Sequence, residues 1–371
     1  MNAPLSTNGS RPSVDPDERR HIAVPCEEAN YRVAFLLLPG FSQLSLSSFL
    51  DPLRLANLVV GRRFFEWSVS TPDGNPVECA CGISVSADHA FSKLVSAISS
   101  VTRPHMVVLC AGDQVETQAS TPLINLLRLC RRHKVPMAAL GTATWLLAQG
   151  GMLNDAPCTI HWEKMPALTE TFSRLNVMNN LFVRNDDLIT CAGEFASFHL
   201  VMELVSNRLG KETASAVCHH TTALQWRSGS DRQWAAGAEF TGASKTMPEI
   251  ISLMEQHIED PLPLYDIAQC VGYSRRQIER LFERHVSCSP MRYYLRLRLE
   301  RAKQLIEHTD MPQLEIAVAC GFASASHFSK CFRCAFGRSP AEHRDYFVLI
   351  TRPRGSVRPE TTFGAQAMTR I

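Results

Sequence analysis

Long apolar runs are missing from the 371 residues: no stretch reaches the ~18 consecutive apolar side chains of a membrane-spanning helix. The N-terminus also lacks the apolar core of a secretory signal, so the expected compartment is the cytoplasm, with no membrane partner. Strong charge of either sign is absent too. The formal net charge is only +2, so the overall balance neither argues for nucleic acid nor excludes it. Thirteen cysteines are plentiful, but paired metal-ligand spacing is not found. Cys331 and Cys334 form a C-x-x-C inside a helical pattern with no second pair, which reads against zinc. Cys79 and Cys81 alternate on a strand-like stretch. The thiols are scattered, odd in number and mostly within apolar runs, as expected of reduced, buried cysteines in a cytosolic protein holding neither metal nor cofactor. Residues 1–29 are rich in Pro, Ser and charge without apolar periodicity, and read as a disordered leader.

What is present is an internal repeat. Ile267-Ala268, three residues and Gly272-Tyr273 recur 49 residues later as Ile316-Ala317, three residues and Gly321-Phe322. Each copy continues to an aromatic (Phe282, Phe332) and a Ser-Pro pair (Ser289-Pro290, Ser339-Pro340). Two copies are too few for a solenoid, so the pattern predicts a tandem pair of helix-turn-helix modules in an all-α domain. In the first, Leu264, Ile267, Ala268 and Val271 share a helix face, Gly272 turns the chain, and Ser274 with Gln277 forms a capping box. Ile278, Leu281 and Phe282 point to a core. Arg275, Arg276, Gln277, Glu279 and Arg280 remain outside, where a recognition helix meets base edges. The second module offers Ser324, Ala325, Ser326, His327 and Lys330, better suited to phosphate and weak base contacts. Between them, residues 290–309 predict a helix of about 30 Å, close to the ~34 Å of one duplex turn. From Ser274 to Lys303, nine Lys/Arg face three Asp/Glu, the local footprint of a DNA-contacting surface.

The first half reads differently. Residues 31–39, 106–110 and 135–140 are continuous apolar strands, and 65–70 is an alternating one. Helices are predicted over 48–58, 122–133, 145–150 and 195–209, and a hairpin over 181–191. This alternation argues for an α/β doubly wound parallel sheet. The expected layout is leader 1–29, α/β domain 30–219, linker 220–246 with a short helix near Gln233 to Ala236, helical domain 247–346, and a flexible tail 347–371.

Residues 248–345 resemble the DNA-binding domain of the AraC/XylS family. The matching residues include Tyr293, Arg298-Leu299, Arg301-Ala302, Ser324, Ser326, Phe328, Gly337 and Arg344, besides the repeat itself; His343 departs from the aromatic seen in many relatives. Residues 31–210 resemble the DJ-1/PfpI branch of the class I glutamine amidotransferase-like superfamily. That resemblance rests on Pro39-Gly40-Phe41, Asp51-Pro52-Leu53-Arg54, Ala56-Asn57, Gly141-Thr142 with Leu147-Ala148, and Thr159-Ile160-His161-Trp162-Glu163. It implies a nucleophile elbow whose cysteine is replaced by Gly141, leaving His161 as a base with nothing to activate. Cys110 reads as a packed thiol and Thr142 as a hydroxyl with no sign of activation. No catalytic residue is expected.

The former active site then becomes a pocket lined by Gly141, Thr142, Ala143, Trp145, His161 and Trp162. A helix N-terminus after Gly141 would favour a carboxylate, and the two tryptophans, if they line the pocket rather than the core, a cationic head. A betaine, carnitine or an arginine-like amino acid fits that description. The expectation is a homodimeric activator of catabolic genes that binds double-stranded promoter DNA and works with RNA polymerase. The rivals are an active amidase or hydrolase-like domain tethered to DNA, and a ligand-independent architectural DNA-binding protein.

Overall fold

The computed structural model describes residues 30–153, 156–233 and 246–351. In the first half, β1 (Tyr31–Leu37), α1 (Gln43–Val60) and β2 (Phe65–Thr71) are followed by a small hairpin of β3 (Val77–Glu78) and β4 (Ser84–Val85). Next come β5 (His89–Ala90), α2 (Phe91–Ile98), β6 (Met106–Cys110), α3 (Thr121–Arg132), β7 (Met137–Leu140) and α4 (Thr144–Gln149). The half closes with β8 (Pro157–Cys158), α5 (Met165–Thr171), β9 (Asn176–Val177), β10 (Phe182–Asn185), β11 (Leu188–Cys191) and α6 (Phe195–His220).

Seven strands form one sheet in the order β10-β11-β7-β6-β1-β2-β5. Its interior is parallel, as expected, but β10 pairs antiparallel with β11, so the sheet is mixed. The central strands are apolar throughout because both faces are covered. In β1, Val33, Phe35 and Leu37 pack with α1 and α6, while Ala34, Leu36 and Leu38 pack with α2, α3 and α4. Strand β6 repeats this with Met106, Val108 and Cys110 on one side and Val107 and Leu109 on the other. Fully burying each large side chain contributes about 1.5–3 kcal/mol.

Several boundaries differ from expectation. Helix α1 begins at Gln43 rather than Ser48, because the Ser42 hydroxyl caps it by accepting the Ser45 N–H. Helix α6 continues past Leu209 to His220 through a non-helical Gly210. The expected linker begins as part of the α/β unit: Leu181 N–H donates to Asp231 O, Phe182 N–H to Gly229 O, and Trp226 packs on the core. Beyond Gln233, the short helix expected there lies outside the described residues, as do the leader and the tail past 351.

The second half is helical: α7 (Thr246–Gln256), α8 (Leu264–Val271), α9 (Arg275–Val286), α10 (Pro290–His308), α11 (Gln313–Ala319), α12 (Ala325–Phe336) and α13 (Pro340–Thr351). Helix α13 extends beyond Tyr346, where a tail was expected, and Phe347 meets His308 edge to face. There are two cores. Met247, Ile250, Ile267, Ile278, Phe282 and Tyr294 make the first; Leu299, Leu305, Ile316, Phe328 and Phe332 make the second. Helix α10 supplies both. His343, the departure from the usual aromatic, is buried against Phe332 and bonds Glu307 through Nε2 at 2.8 Å.

The halves touch where α5 lies against α10, with Glu170 Oε1 3.8 Å from the Arg301 guanidinium. On α7, burial pushes the Glu255 carboxyl up to about 7, against the opposing pull of Arg232. A carboxyl raised by folding contributes stability that is present below its ordinary value of 4.5 and lost as pH rises through about 7. Glu255→Gln is therefore expected to raise the melting temperature at pH 8, by roughly 1–3 kcal/mol of stability, and to change little at pH 4. Thermal melts at both pH values check this.

Candidate functional site

At the carboxyl ends of β1, β6, β7 and β11 the sheet opens into a cavity of about 640 Å³. It lies at the switch point, where β2 continues the sheet on one side of β1 and β6 on the other. Its floor is set by two backbones in contact. A Cβ on Gly193 would stand 2.6 Å from Gly141 Cα, so the end of β11 approaches the elbow only because residue 193 is glycine. Gly141 keeps a left-handed φ of 62°, the strained turn of an elbow, without the side chain that would make it one.

Directly after Gly193, Glu194 sits at φ 49°, ψ −130°, an unusual conformation for a residue with a side chain. It is held there by its own N–H, donated to Ser45 Oγ at 2.6 Å, and by Ser42 Oγ, which donates to Glu194 Oε2 at 2.9 Å. Asp113 and Glu163 bring two more carboxylates to the wall, and His161 Nδ1 lies 3.7 Å from Glu163 Oε2. Gln43, also lining the cavity, has a buried Oε1 with no partner in the structure. Beneath the wall Lys164 is only 3% exposed; its Nζ donates to Asp113 O at 2.7 Å and Glu116 Oε1 at 2.6 Å. No Lys or Arg is among the described lining residues.

Of the six residues expected in this pocket, Gly141, Thr142 and His161 line it. Ala143 and Trp145 do not. Trp145 is turned into the core, 3% exposed and edge to face with Phe172 at 5.5 Å, because its place in the first turn of α4 points it inward. Trp162 is partly exposed beside His161 and is not among the lining residues. Where a helix N-terminus was expected to favour a carboxylate, a 3₁₀ turn precedes α4, which is only six residues long, and the cavity wall carries three carboxylates. Thr142 Oγ1 is spent donating to Gly112 O at 2.8 Å. Cys110 is buried, and desolvation pushes its thiol far above the ordinary range. Among the described residues no cluster of His, Cys, Asp or Glu could hold a metal ion, and no helix is long and apolar enough to cross a membrane. Ser42, Gln43, Ser45, Asp113 and Glu194 were not anticipated; the strand-end glycine before Glu194 was the available signal.

The second surface is that of α9 and α12. Arg275, Arg276, Gln277, Glu279 and Arg280 are exposed on α9, as are Ser326, His327 and Lys330 on α12, while Ala325 is half-buried. The capping box forms: Gln277 Oε1 accepts from the Ser274 N–H (2.8 Å) and hydroxyl (2.7 Å). Bidentate adenine reading needs that same oxygen, so Gln277 cannot serve both roles in this arrangement. Ser324 is likewise the cap of α12, accepting the His327 N–H. Arg298 fixes the second module to α10 by donating to Cys320 O (2.8 Å) and Gly321 O (2.6 Å) with its guanidinium over Phe322.

Residues 267–346 match the helix-turn-helix domain family and residues 31–207 the DJ-1/PfpI family. The chain is 33% identical over 323 residues to the HTH-type transcriptional regulator GbdR of Pseudomonas aeruginosa, covering 86% of each chain. It is 34% identical over 320 residues to CdhR of the same organism, covering 85% of this chain and 92% of that one. The crystal structure of an AraC family transcriptional regulator from Pseudomonas putida aligns at 26% identity and a TM-score of 0.45, over 52% of this chain and 99% of that one. By class, then, this is an HTH-type transcriptional regulator. More closely, the chain belongs to the AraC-type regulators that carry a DJ-1/PfpI domain ahead of the DNA-binding domain.

Two substitutions test the floor of the cavity. Gly193→Ala forces a Cβ against backbone at a φ of 83° and is expected to cost more than about 2 kcal/mol, read by thermal melt. At Gly141 an added Cβ meets nothing closer than 3.9 Å. Gly141→Cys is therefore expected to fold, at a cost of about 1 kcal/mol, and to present a thiol that iodoacetamide labels from the cavity.

Proposed function

We propose that this regulator binds a small organic cation in the α/β cavity and reads two successive major grooves with α9 and α12. The observation that carries the ligand class is the wall of the cavity: three carboxylates and the unpartnered Gln43 Oε1, all acceptors, with His161 but no Lys or Arg among its described residues. Such a wall favours an amine with N–H donors, as in an arginine-like amino acid, over the quaternary ammonium of a betaine or carnitine, which has none to give. The DNA reading is supported by the two module cores carried on one α10 of 19 residues, about 28 Å long, close to the ~34 Å turn of the duplex.

In this reading the α/β domain performs no catalysis. That is supported by the empty elbow at Gly141, the engaged hydroxyl of Thr142 and the suppressed ionisation of Cys110. The boundaries proposed are an α/β domain through residue 233, later than the sequence suggested, and a DNA-binding domain from α7 onwards. Activation of catabolic genes, a homodimer held by the α/β domain, contact with RNA polymerase and a cytoplasmic location are carried over from the family resemblance. Helix α5 follows directly on the cavity residues His161 and Glu163 and meets α10 through Glu170 and Arg301, which offers a route from ligand to DNA-reading helices. A ligand shifts DNA binding along that route only if it favours one arrangement of the halves over the other.

Melting-temperature shifts with arginine and with glycine betaine test the ligand class. Arginine at about one hundred times its Kd should add about 2.7 kcal/mol, and Glu194→Gln should abolish most of that shift. A shift with glycine betaine alone would overturn the donor argument. On DNA, Arg276→Ala is expected to lose about 1–3 kcal/mol on matched operator and relax preference at one half-site. Lys330→Ala should weaken matched and scrambled sites alike and lower the salt slope by about one. Titrations against both sequences at several salt concentrations separate the two roles.

A further inference from the structure

The hairpin of β3 and β4 puts two thiols in contact at the rim of the cavity. Val77 pairs with Val85 and Glu78 with Ser84, and the chain reverses between them. Cys79 N–H donates to Ile83 O at 2.9 Å and Gly82 N–H to Cys79 O at 3.0 Å. This tight turn holds the Cys79 and Cys81 sulfurs 3.2 Å apart, nearer than two sulfurs that merely touch. Cys79 is 3% exposed, whereas Cys81 is open to solvent and lines the cavity. The turn is tied to the neighbouring wall: Gly40 N–H donates to Glu78 O at 2.8 Å and Ala80 N–H to Phe41 O at 2.9 Å. A change in the turn therefore reaches the cavity directly.

We propose that Cys79 and Cys81 form a redox modification site, in which a hydroperoxide converts the thiol pair to an intramolecular disulfide and reshapes the cavity rim. The exposed Cys81 sulfur attacks one peroxide oxygen. The O–O bond breaks, Cys81 becomes a sulfenic acid, and the other oxygen leaves as an alcohol (water, from hydrogen peroxide) with the thiol proton. The Cys79 sulfur then attacks Cys81; the S–S bond forms, the S–O bond breaks, and hydroxide leaves as water with the last thiol proton. Two electrons pass from the pair to the peroxide.

The asymmetry of the pair suits these roles. Burial raises the Cys79 thiol, but hydrogen bonds from the Cys81 side chain and the backbone of Cys81 and Ile83 outweigh it and leave Cys79 below its ordinary value. Its partner is raised by the same thiol–thiol bond. Exposure rather than acidity gives Cys81 the first attack, since its raised thiol is the poorer thiolate of the two; Cys79, buried but the better thiolate, resolves it. Cys110, Cys130, Cys158, Cys191, Cys218 and Cys320 are buried and lie out of the oxidant's reach. Bond formation draws the Cys81 sulfur towards Cys79 and away from the cavity, so a weaker ligand response in the oxidised protein is the expected consequence. That consequence rests on the ligand-binding reading above.

The test uses the full chain, treated with hydrogen peroxide, alkylated with N-ethylmaleimide and digested with trypsin. The expected result is that the peptide spanning residues 64–93 loses two hydrogens and carries no label, that dithiothreitol restores both labels, and that the likewise exposed Cys270 and Cys334 keep their labels after peroxide. Cys81→Ser, a change at an exposed position, should abolish the loss. Conversion of Cys81 to sulfinic or sulfonic acid, or full labelling of both thiols after peroxide, would overturn the proposal. A disulfide that leaves the arginine-induced melting shift unchanged overturns the claim that it reshapes the rim. A reduced protein with no arginine shift would instead count against the ligand reading, while the mass result stands separately.

Discussion

One helix belongs to two cores. Tyr293 and Tyr294 at the start of α10 are buried with α7, α8 and α9, and Leu299, Ala302, Leu305 and Ile306 further along it are buried with α11 and α12. Side chains on a continuous helix keep their relative positions, so the spacing of α9 and α12 is inherited from the rise of α10 rather than from a loop. Arg298 strengthens this by gripping the carbonyls of the second turn. The contact of Arg301 with Glu170 on α5 brings the α/β half onto the same rod. Desolvation holds His308, at the end of α10, neutral down to about 3, with Lys164 and His161 adding to the effect. The cavity wall and the spacer helix thus share an electrostatic environment.

The cavity follows from an equally simple constraint. At the end of β11 the chain can approach the β7 turn only because Gly193 has no side chain, and that approach brings Glu194 to the lining of the opening. The strained backbone at Glu194 is kept by hydrogen bonds with two serines of the α1 entry: its N–H donates to Ser45 Oγ and its carboxylate accepts from Ser42 Oγ. Where an elbow would raise a nucleophile, this chain presents an empty floor under an acidic wall.

Much of the architecture was legible. The apolar runs at 31–37 and 106–110 had to be buried on both faces, and the Ile-Ala-x-x-x-Gly repeat with its capping box placed α8 and α9 almost to the residue. Other parts left no local signature. Strands β3, β4, β5, β8 and β9 are two residues long, too short for any period to show. Residues 221–233 look like a linker because their order comes from pairing with the β10 edge and from Trp226 on the core, not from their own pattern. Trp145 stands four residues from the elbow in sequence, yet the first turn of α4 carries it into the interior.

The chain order of residues by itself determined the two-part plan, the tandem modules and the glycine at the turn after β7. These depend on hydrophobic spacing, turn glycines and caps, which act over a few residues. Only the tertiary structure decided the charge of the cavity and the inward turn of Trp145. Ser42 meets Glu194 across 152 residues of chain, and no local pattern can announce such a meeting. The sheet brings them together because its parallel strands end on one edge, and that edge exists only once the strands are assembled.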